Sequence, residues 1–181
     1  DFGRAVVAEC RQLGILIDLA HLNPAGADEL LAEGSGPLII SHTTPRAFYD
    51  IERNSSDDHI RAVGRRGGVV GANAALVSPR AEDSTLDRYA DEIEYLVELA
   101  GIDGVGIGFD FFEFIYRRWS AAERAELDSR LSRAHFLPDL SNHGHARNLT
   151  RKLIERGFAD DQIAQILYGN WMRVFEQVLK G

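Results

Sequence analysis

Cysteine is nearly absent from this 181-residue chain. Cys10 is the only one, so no disulfide can form within the chain and a cage of cysteine thiolates around zinc is excluded. Such usage fits a reducing compartment and sets a cytoplasmic expectation. Basic charge is also scarce: 20 Lys and Arg against 28 Asp and Glu give a formal net charge of −8, which makes nucleic acid and anionic membrane surfaces repelled partners. No apolar run approaches the roughly 20 residues needed to span a bilayer, and the first residues lack the basic-then-apolar layout of a secretion signal. A Gly-rich phosphate loop between strand and helix is missing too. Gly104, Gly106 and Gly108 lie within one apolar run that ends at Asp110, which argues against a nucleotide site. What is present is 45% hydrophobic residues, enough for one buried domain.

Helical spacing of Phe2, Val6, Val7, Cys10 and Leu13 stops at Gly14, immediately before residues 15–21, which read as a buried strand. Asn23 and Pro24 start a second helix, the Gly34-Ser35-Gly36 cluster ends it, and residues 37–42 form a second apolar strand. Helical stretches are expected over 45–49 and 57–65, then a third strand over 67–73 whose glycines leave room for a close neighbour. Ser84 is placed to cap a helix carrying Leu86, Tyr89, Ile93, Leu96 and Ala100, and residues 104–109 form a fourth strand. Residues 111–147 have no clear period and read as a long loop with helical turns. From Leu149 the apolar spacing returns as a closing helical cover. Short apolar strands alternating with helices predict an α/β protein with a parallel sheet, either doubly wound or part of a (βα)8 barrel.

The polar residues fall at telling places. His21, His42 and Asp110 each stand at the C-terminal end of an expected strand, the edge where parallel sheets gather ligand and catalytic groups. Two imidazoles and a carboxylate suit a divalent metal such as Zn²⁺ and leave a position for water, whose lowered pKa makes it a hydrolytic nucleophile. Any one of the three alone reads as a hydrogen-bonded structural residue; the set reads as a site. Arg53 is an ordinary surface residue unless its loop folds over the strand ends, where its guanidinium can clamp a substrate carboxylate. His59 reads as solvent-exposed, and His143 and His145 as part of a polar turn rather than a chelate. Asp57-Asp58 read as a helix start, and Trp119 and Trp171 as packing anchors.

Taken together, Asp18-Leu19-Ala20-His21, Ile39-Ile40-Ser41-His42, Arg53-Asn54-Ser55-Ser56-Asp57-Asp58, Gly67-Gly68-Val69-Val70, Gly106-Ile107-Gly108-Phe109-Asp110 and Gly169-Asn170-Trp171-Met172-Arg173-Val174-Phe175 resemble the membrane dipeptidase (renal dipeptidase) family of zinc metallopeptidases and its bacterial members. The resemblance runs over nearly the whole chain in the family's order. It implies a (βα)8 TIM-type barrel with two zinc ions that hydrolyses dipeptides through a metal-bridging hydroxide. It also implies roles: His21 and His42 as metal ligands, Arg53 as the holder of the substrate carboxylate, Asp110 as the acid/base, and Asn170 as a structural residue. One departure is local, since the family often has Asp-Phe-Asp-Gly where this chain has Asp110-Phe111-Phe112-Glu113.

Another departure is larger. The family's His-x-Asp pair and metal-bridging glutamate have no counterpart before His21, and the chain opens at Asp1 without methionine. Residues 1–181 are therefore expected to be the C-terminal portion of a single barrel domain, with four of its eight strands. The N-terminal portion would then be an obligatory partner that supplies the remaining ligands; a homodimer is left open. Two rivals stand beside the dipeptidase reading. One is an amidohydrolase-type hydrolase of lactams or cyclic amides, and the other is a catalytically inactive fragment acting as a binding module.

Overall fold

The computed structural model describes residues 2–34, 36–131 and 135–179, so Asp1 and Ser35, the middle of the expected helix stop, lie outside the described residues. Helix α1 (Phe2–Gln12) ends at Gly14, which turns the chain with φ +68°. Helix α2 (Pro24–Ala32) starts where the side chain of Asn23 accepts from the Gly26 N–H and Pro24 opens the first turn. Strands β1 (Ile39–Thr43), β2 (Val69–Ala72) and β3 (Val105–Ile107) form a parallel sheet in the order β1-β2-β3, with Ile39 opposite Val69 and Val70 opposite Val105. Helix α3 (Asp57–Arg65) connects β1 to β2, capped by Ser56 with Asp57 and Asp58 in its first turn. Helix α4 (Leu86–Ala100) connects β2 to β3.

Both faces of the sheet are covered, which is why its strands are apolar without alternation. Successive residues point to opposite faces. Leu38, Ile40, Val70 and Val105 share one buried cluster with Ile60 and Val63 of α3 and Tyr89, Ile93 and Leu96 of α4. Ile39 and Val69 pack on the other side against Val174 and Trp171. The closing segment runs as α5 (Glu113–Tyr116), α6 (Ala121–Leu131), α7 (Ala146–Glu155), α8 (Asp160–Ala164), a π-helical turn over Gln165–Gly169, and α9 (Asn170–Leu179). Leu149 and Leu153 of α7 join the larger core. Arg173 of α9 donates to the carbonyls of Gly67 and Asp103 at 2.7 and 2.6 Å, and buried Asn170 donates to those of Ile102 and Val105, both at 2.7 Å. Asn170 and Trp171 are thus structural, as expected.

Several expectations need correction. Residues 15–21 run beside β1 but pair through one isolated bridge, Asp18 with Ile39, so the described sheet has three strands rather than four. The cause is Asp18 itself: its Oδ1 accepts from the Ala20 and Ser41 N–H groups, both at 2.9 Å, and draws the chain off the ladder. Thr85 rather than Ser84 caps α4, because the Ser84 hydroxyl donates to the Arg80 carbonyl. Residues 45–49 form a turn closed on Pro45, not a helical stretch. The fourth expected strand narrows to β3: Gly104 closes a 3₁₀ turn over 102–104, and Gly108 and Phe109 fall beyond the strand.

Register shifts between Ile40 and Thr43, so Ser41 and His42 form a bulge at the end of β1. That bulge lies over two glycines. A Cβ at Gly71 or Gly108 would stand 2.0 or 1.9 Å from the Ser41 carbonyl oxygen, so only glycine allows the bulge to settle there. No helix among the described residues is long and apolar enough to cross a membrane.

Candidate active site

The sequence places His21, His42, Arg53 and Asp110 on four separate segments, and the fold brings all four together. His21 follows the bridge at Asp18, His42 rides the bulge of β1, Asp110 follows β3, and Arg53 comes from the loop between β1 and α3. His42 Nε2 lies 2.9 Å from His21 Nε2 and 3.8 Å from Asp110 Oδ2. Arg53 Nη2 lies 3.3 Å from His21 Nε2 and 3.7 Å from Asp110 Oδ2. His21 and Asp110 are the two non-glycine residues with positive φ among those described, at 63° and 54°. Left-handed backbone at such residues is strained, and strain of this kind gathers at functional sites.

Neighbouring groups fix the orientation. Ser41 Oγ is 2.9 Å from His42 Nδ1, and an Nδ1–H donated there leaves the Nε2 lone pair facing His21. Buried Asn73, at the end of β2, donates from Nδ2 to Asp110 Oδ2 at 3.2 Å while its Oδ1 accepts from the Ala75 and Leu76 N–H groups. Desolvation pulls the His42 imidazole below its ordinary pKa, Asp110 opposes that, and Arg53 and His21 reinforce it. Burial likewise lowers the Arg53 guanidinium, against the pull of Asp110.

The donor chemistry fits a divalent cation. Two imidazoles with Nε2 atoms 2.9 Å apart can both reach one ion at roughly 2.0–2.1 Å. Among the described residues no group of three or more His, Cys, Asp or Glu is arranged to hold an ion, so the pair by itself would not complete a coordination sphere. Arg53 and Asp110 beside it offer a cation for a carboxylate and an acceptor for a proton.

Other histidines lie elsewhere. The His143 ring stands edge-on to Phe111, with centroids 5.0 Å apart. His59, expected in solvent, is largely buried and sits 2.7 Å from Asp28, which ties α3 to α2. Sequence reasoning gave no role to Asp18, Ser41 or Asn73. A lone Asp inside the apolar run before His21, and a lone Asn closing the third strand, are the signals that could have marked two of them.

A parallel sheet with its polar residues gathered at the C-terminal strand ends is the construction of α/β enzymes. The profile of the family "Membrane dipeptidase (Peptidase family M19)" matches residues 1–123, and the chain belongs to that family. It is 28% identical over 176 residues to dipeptidase verJ of Clonostachys rogersoniana, a match that covers 97% of this chain and 40% of that protein. Among solved structures, an amidohydrolase from Pseudomonas aeruginosa superposes with a TM-score of 0.83 at 29% identity, over 99% of this chain and 57% of that one. A metallo peptidase from Rhodobacter sphaeroides, liganded with a phosphinate mimic of the dipeptide L-Ala-D-Ala, shares the fold with a TM-score of 0.78 at 24% identity, over 97% of this chain and 46% of that one. The chain thus spans roughly two fifths to just under three fifths of the length of these relatives.

Proposed function

We propose that this chain carries the substrate-clamping and acid/base half of a zinc-dependent dipeptidase. In this reading the three-stranded sheet is an arc of a (βα)8 barrel, and residues 1–181 are the C-terminal portion of that single domain. The observation that carries the reading is the convergence of His21, His42, Arg53 and Asp110 from four segments within 3.8 Å contacts. His21 and His42 would hold zinc together with ligands from the remainder of the barrel. When bound, the metal supplies Lewis acidity and lowers the pKa of water for attack on the peptide carbonyl.

The protein's own residues do the rest. Arg53 grips the C-terminal carboxylate with two parallel N–H donors, which fixes the scissile bond beside the histidine pair. Asp110 accepts a proton from the attacking water and passes it to the leaving amine. Asn73, donating to Oδ2, keeps that carboxylate turned toward the histidines.

Substitution of His42 by alanine in the full-length, metal-loaded protein tests the reading. Zinc content should fall by at least one ion per active site and dipeptide hydrolysis should be lost. Unchanged zinc content together with unchanged hydrolysis would sink it. Substrate profiling addresses the amidohydrolase alternative, which the Pseudomonas neighbour favours by its name. Turnover of cyclic amides in preference to dipeptides with free amine and carboxylate ends would favour that alternative.

A further inference from the structure

Arg46 is a residue that neither the family resemblance nor the site description uses. It sits in the turn after β1, seven residues before Arg53. Its Nε donates to the Asn54 carbonyl at 2.9 Å and its Nη2 to the Glu52 carbonyl at 3.0 Å. Those are the carbonyls on either side of Arg53 in the chain. Among the described residues Arg46 makes no ion pair, so its guanidinium is directed at backbone alone. The backbone of Arg46 takes part as well, its N–H donating to the Ser55 carbonyl at 3.0 Å, where Pro45 and Ser55 form an isolated parallel bridge.

The geometry points to Arg46 as a positioning residue that sets where the Arg53 guanidinium stands and so supplies the enzyme's preference for a free substrate carboxylate. This rests on Arg53 being the carboxylate clamp. The rest of the loop is held at its flanks: Ser55 N–H donates to Thr43 Oγ1 at 3.0 Å and Asn54 Nδ2 to the Tyr49 carbonyl at 2.7 Å. A backbone turn, Asn54 N–H to the Ile51 carbonyl at 3.0 Å, also closes over Glu52 and Arg53, and the Arg46 fork is the side-chain contact that holds the carbonyls on both sides of the clamp residue. Charge-assisted donors are about twice as strong as neutral ones, and the fixed spacing of a guanidinium suits two carbonyls two residues apart. The three donors of a lysine share one nitrogen at the end of a flexible stem and do not reproduce the Nε–Nη2 spacing that meets the two carbonyls. Arg53 must stay within reach of His21 and Asp110, at 3.3 and 3.7 Å, and a misplacement of about 1 Å in such a clamp costs on the order of 100-fold in rate.

The test compares a dipeptide carrying a free C-terminal carboxylate with the same dipeptide as its amide, using the full-length, metal-loaded protein. The readout is the ratio of their kcat/KM values. Arg53→Met should collapse the ratio toward unity. Arg46→Lys should shrink it by about 10–100-fold, mainly through a higher KM for the acid, while hydrolysis of the amide falls far less. Arg46→Met should shrink it at least as far; if that variant fails to fold, the lysine variant decides. A merely structural residue would lower both substrates equally or shift only the melting temperature, and an Arg46→Lys variant with an intact ratio would overturn the inference while leaving the clamp reading standing. An intact ratio in Arg53→Met would overturn both.

Discussion

The seat beneath the His42 bulge gives the sharpest test of how this fold builds its site. Alanine at position 108 would put a Cβ 1.9 Å from the Ser41 carbonyl oxygen and 3.1 Å from the His42 Cα, whereas real Cβ atoms essentially never come within 3.0 Å of another heavy atom. The partner is backbone, so it cannot rotate away, and Ser41 must retreat by more than an ångström. His42 rides on the same bulge, and its Nε2 must then leave the 2.9 Å contact with His21 Nε2. Overpacking of this kind costs about 1–3 kcal/mol, and, with His42 a metal ligand as proposed, displacing its support lowers metal affinity by about 10–100-fold. Gly108→Ala in the full-length protein should therefore melt several degrees lower and require more zinc to reach half occupancy, read by thermal denaturation across a metal titration. Gly101→Ala serves as the comparison: its Cβ meets open space, so it carries only the strain of φ +77° and leaves zinc affinity alone. A Gly108→Ala protein with wild-type melting temperature and zinc affinity would refute the argument that glycine is required under the bulge.

Glu92 of α4 is fully buried, and neither carboxylate oxygen has a hydrogen-bond partner among the described residues. Burial raises its pKa well above the ordinary carboxylate value, with Arg88 pulling the other way. A carboxyl with a raised folded-state pKa favours the fold most fully below its unfolded pKa. That contribution is lost as pH rises toward the folded value, at up to about 1.4 kcal/mol per pH unit. Glu92→Gln should accordingly flatten the decline in stability between pH 5 and pH 8 in urea melts, and an unchanged pH slope would contradict the assignment. Asn170→Ala should cost about 2–4 kcal/mol, because it strands the buried carbonyl of Val105 and the partly buried one of Ile102. Chemical denaturation showing a loss under 1 kcal/mol would argue against that pairing.

Much of the site was legible because its chemistry is concentrated in a few residues at punctuated positions. His21, His42 and Asp110 stand out as polar stops after apolar runs, and the structure brings them together with Arg53. The supports were harder to read. Asp18 lies within what looks like strand, and only the folded chain shows it serving two backbone N–H groups, one of them 23 residues away. The bulge at Ser41 has no sequence mark of its own; its trace is two glycines elsewhere, Gly71 on β2 and Gly108 just past β3. The span over 111–147 hid α6 because Ala121–Leu131 is mostly charged and small, leaving no apolar stripe to count. His59 was misplaced for a related reason: a histidine on a polar helix gives no sign that Asp28 on another helix will meet it.

Helix α9 follows all three strands in the chain, yet it covers Ile39 and Val69 and ties down the backbone entering β2 and β3. During synthesis at roughly 5–20 residues per second, more than a hundred residues separate the emergence of Ile39 from that of Val174. For several seconds or more the nascent sheet has one face bare. His21, His42, Arg53 and Asp110 are all made before that cover arrives, so the ribosome-bound chain carries every candidate site residue while lacking the helix that closes the sheet beneath them. Such an intermediate is a natural client for a chaperone, and ribosomes stalled before residue 170 would expose it for capture.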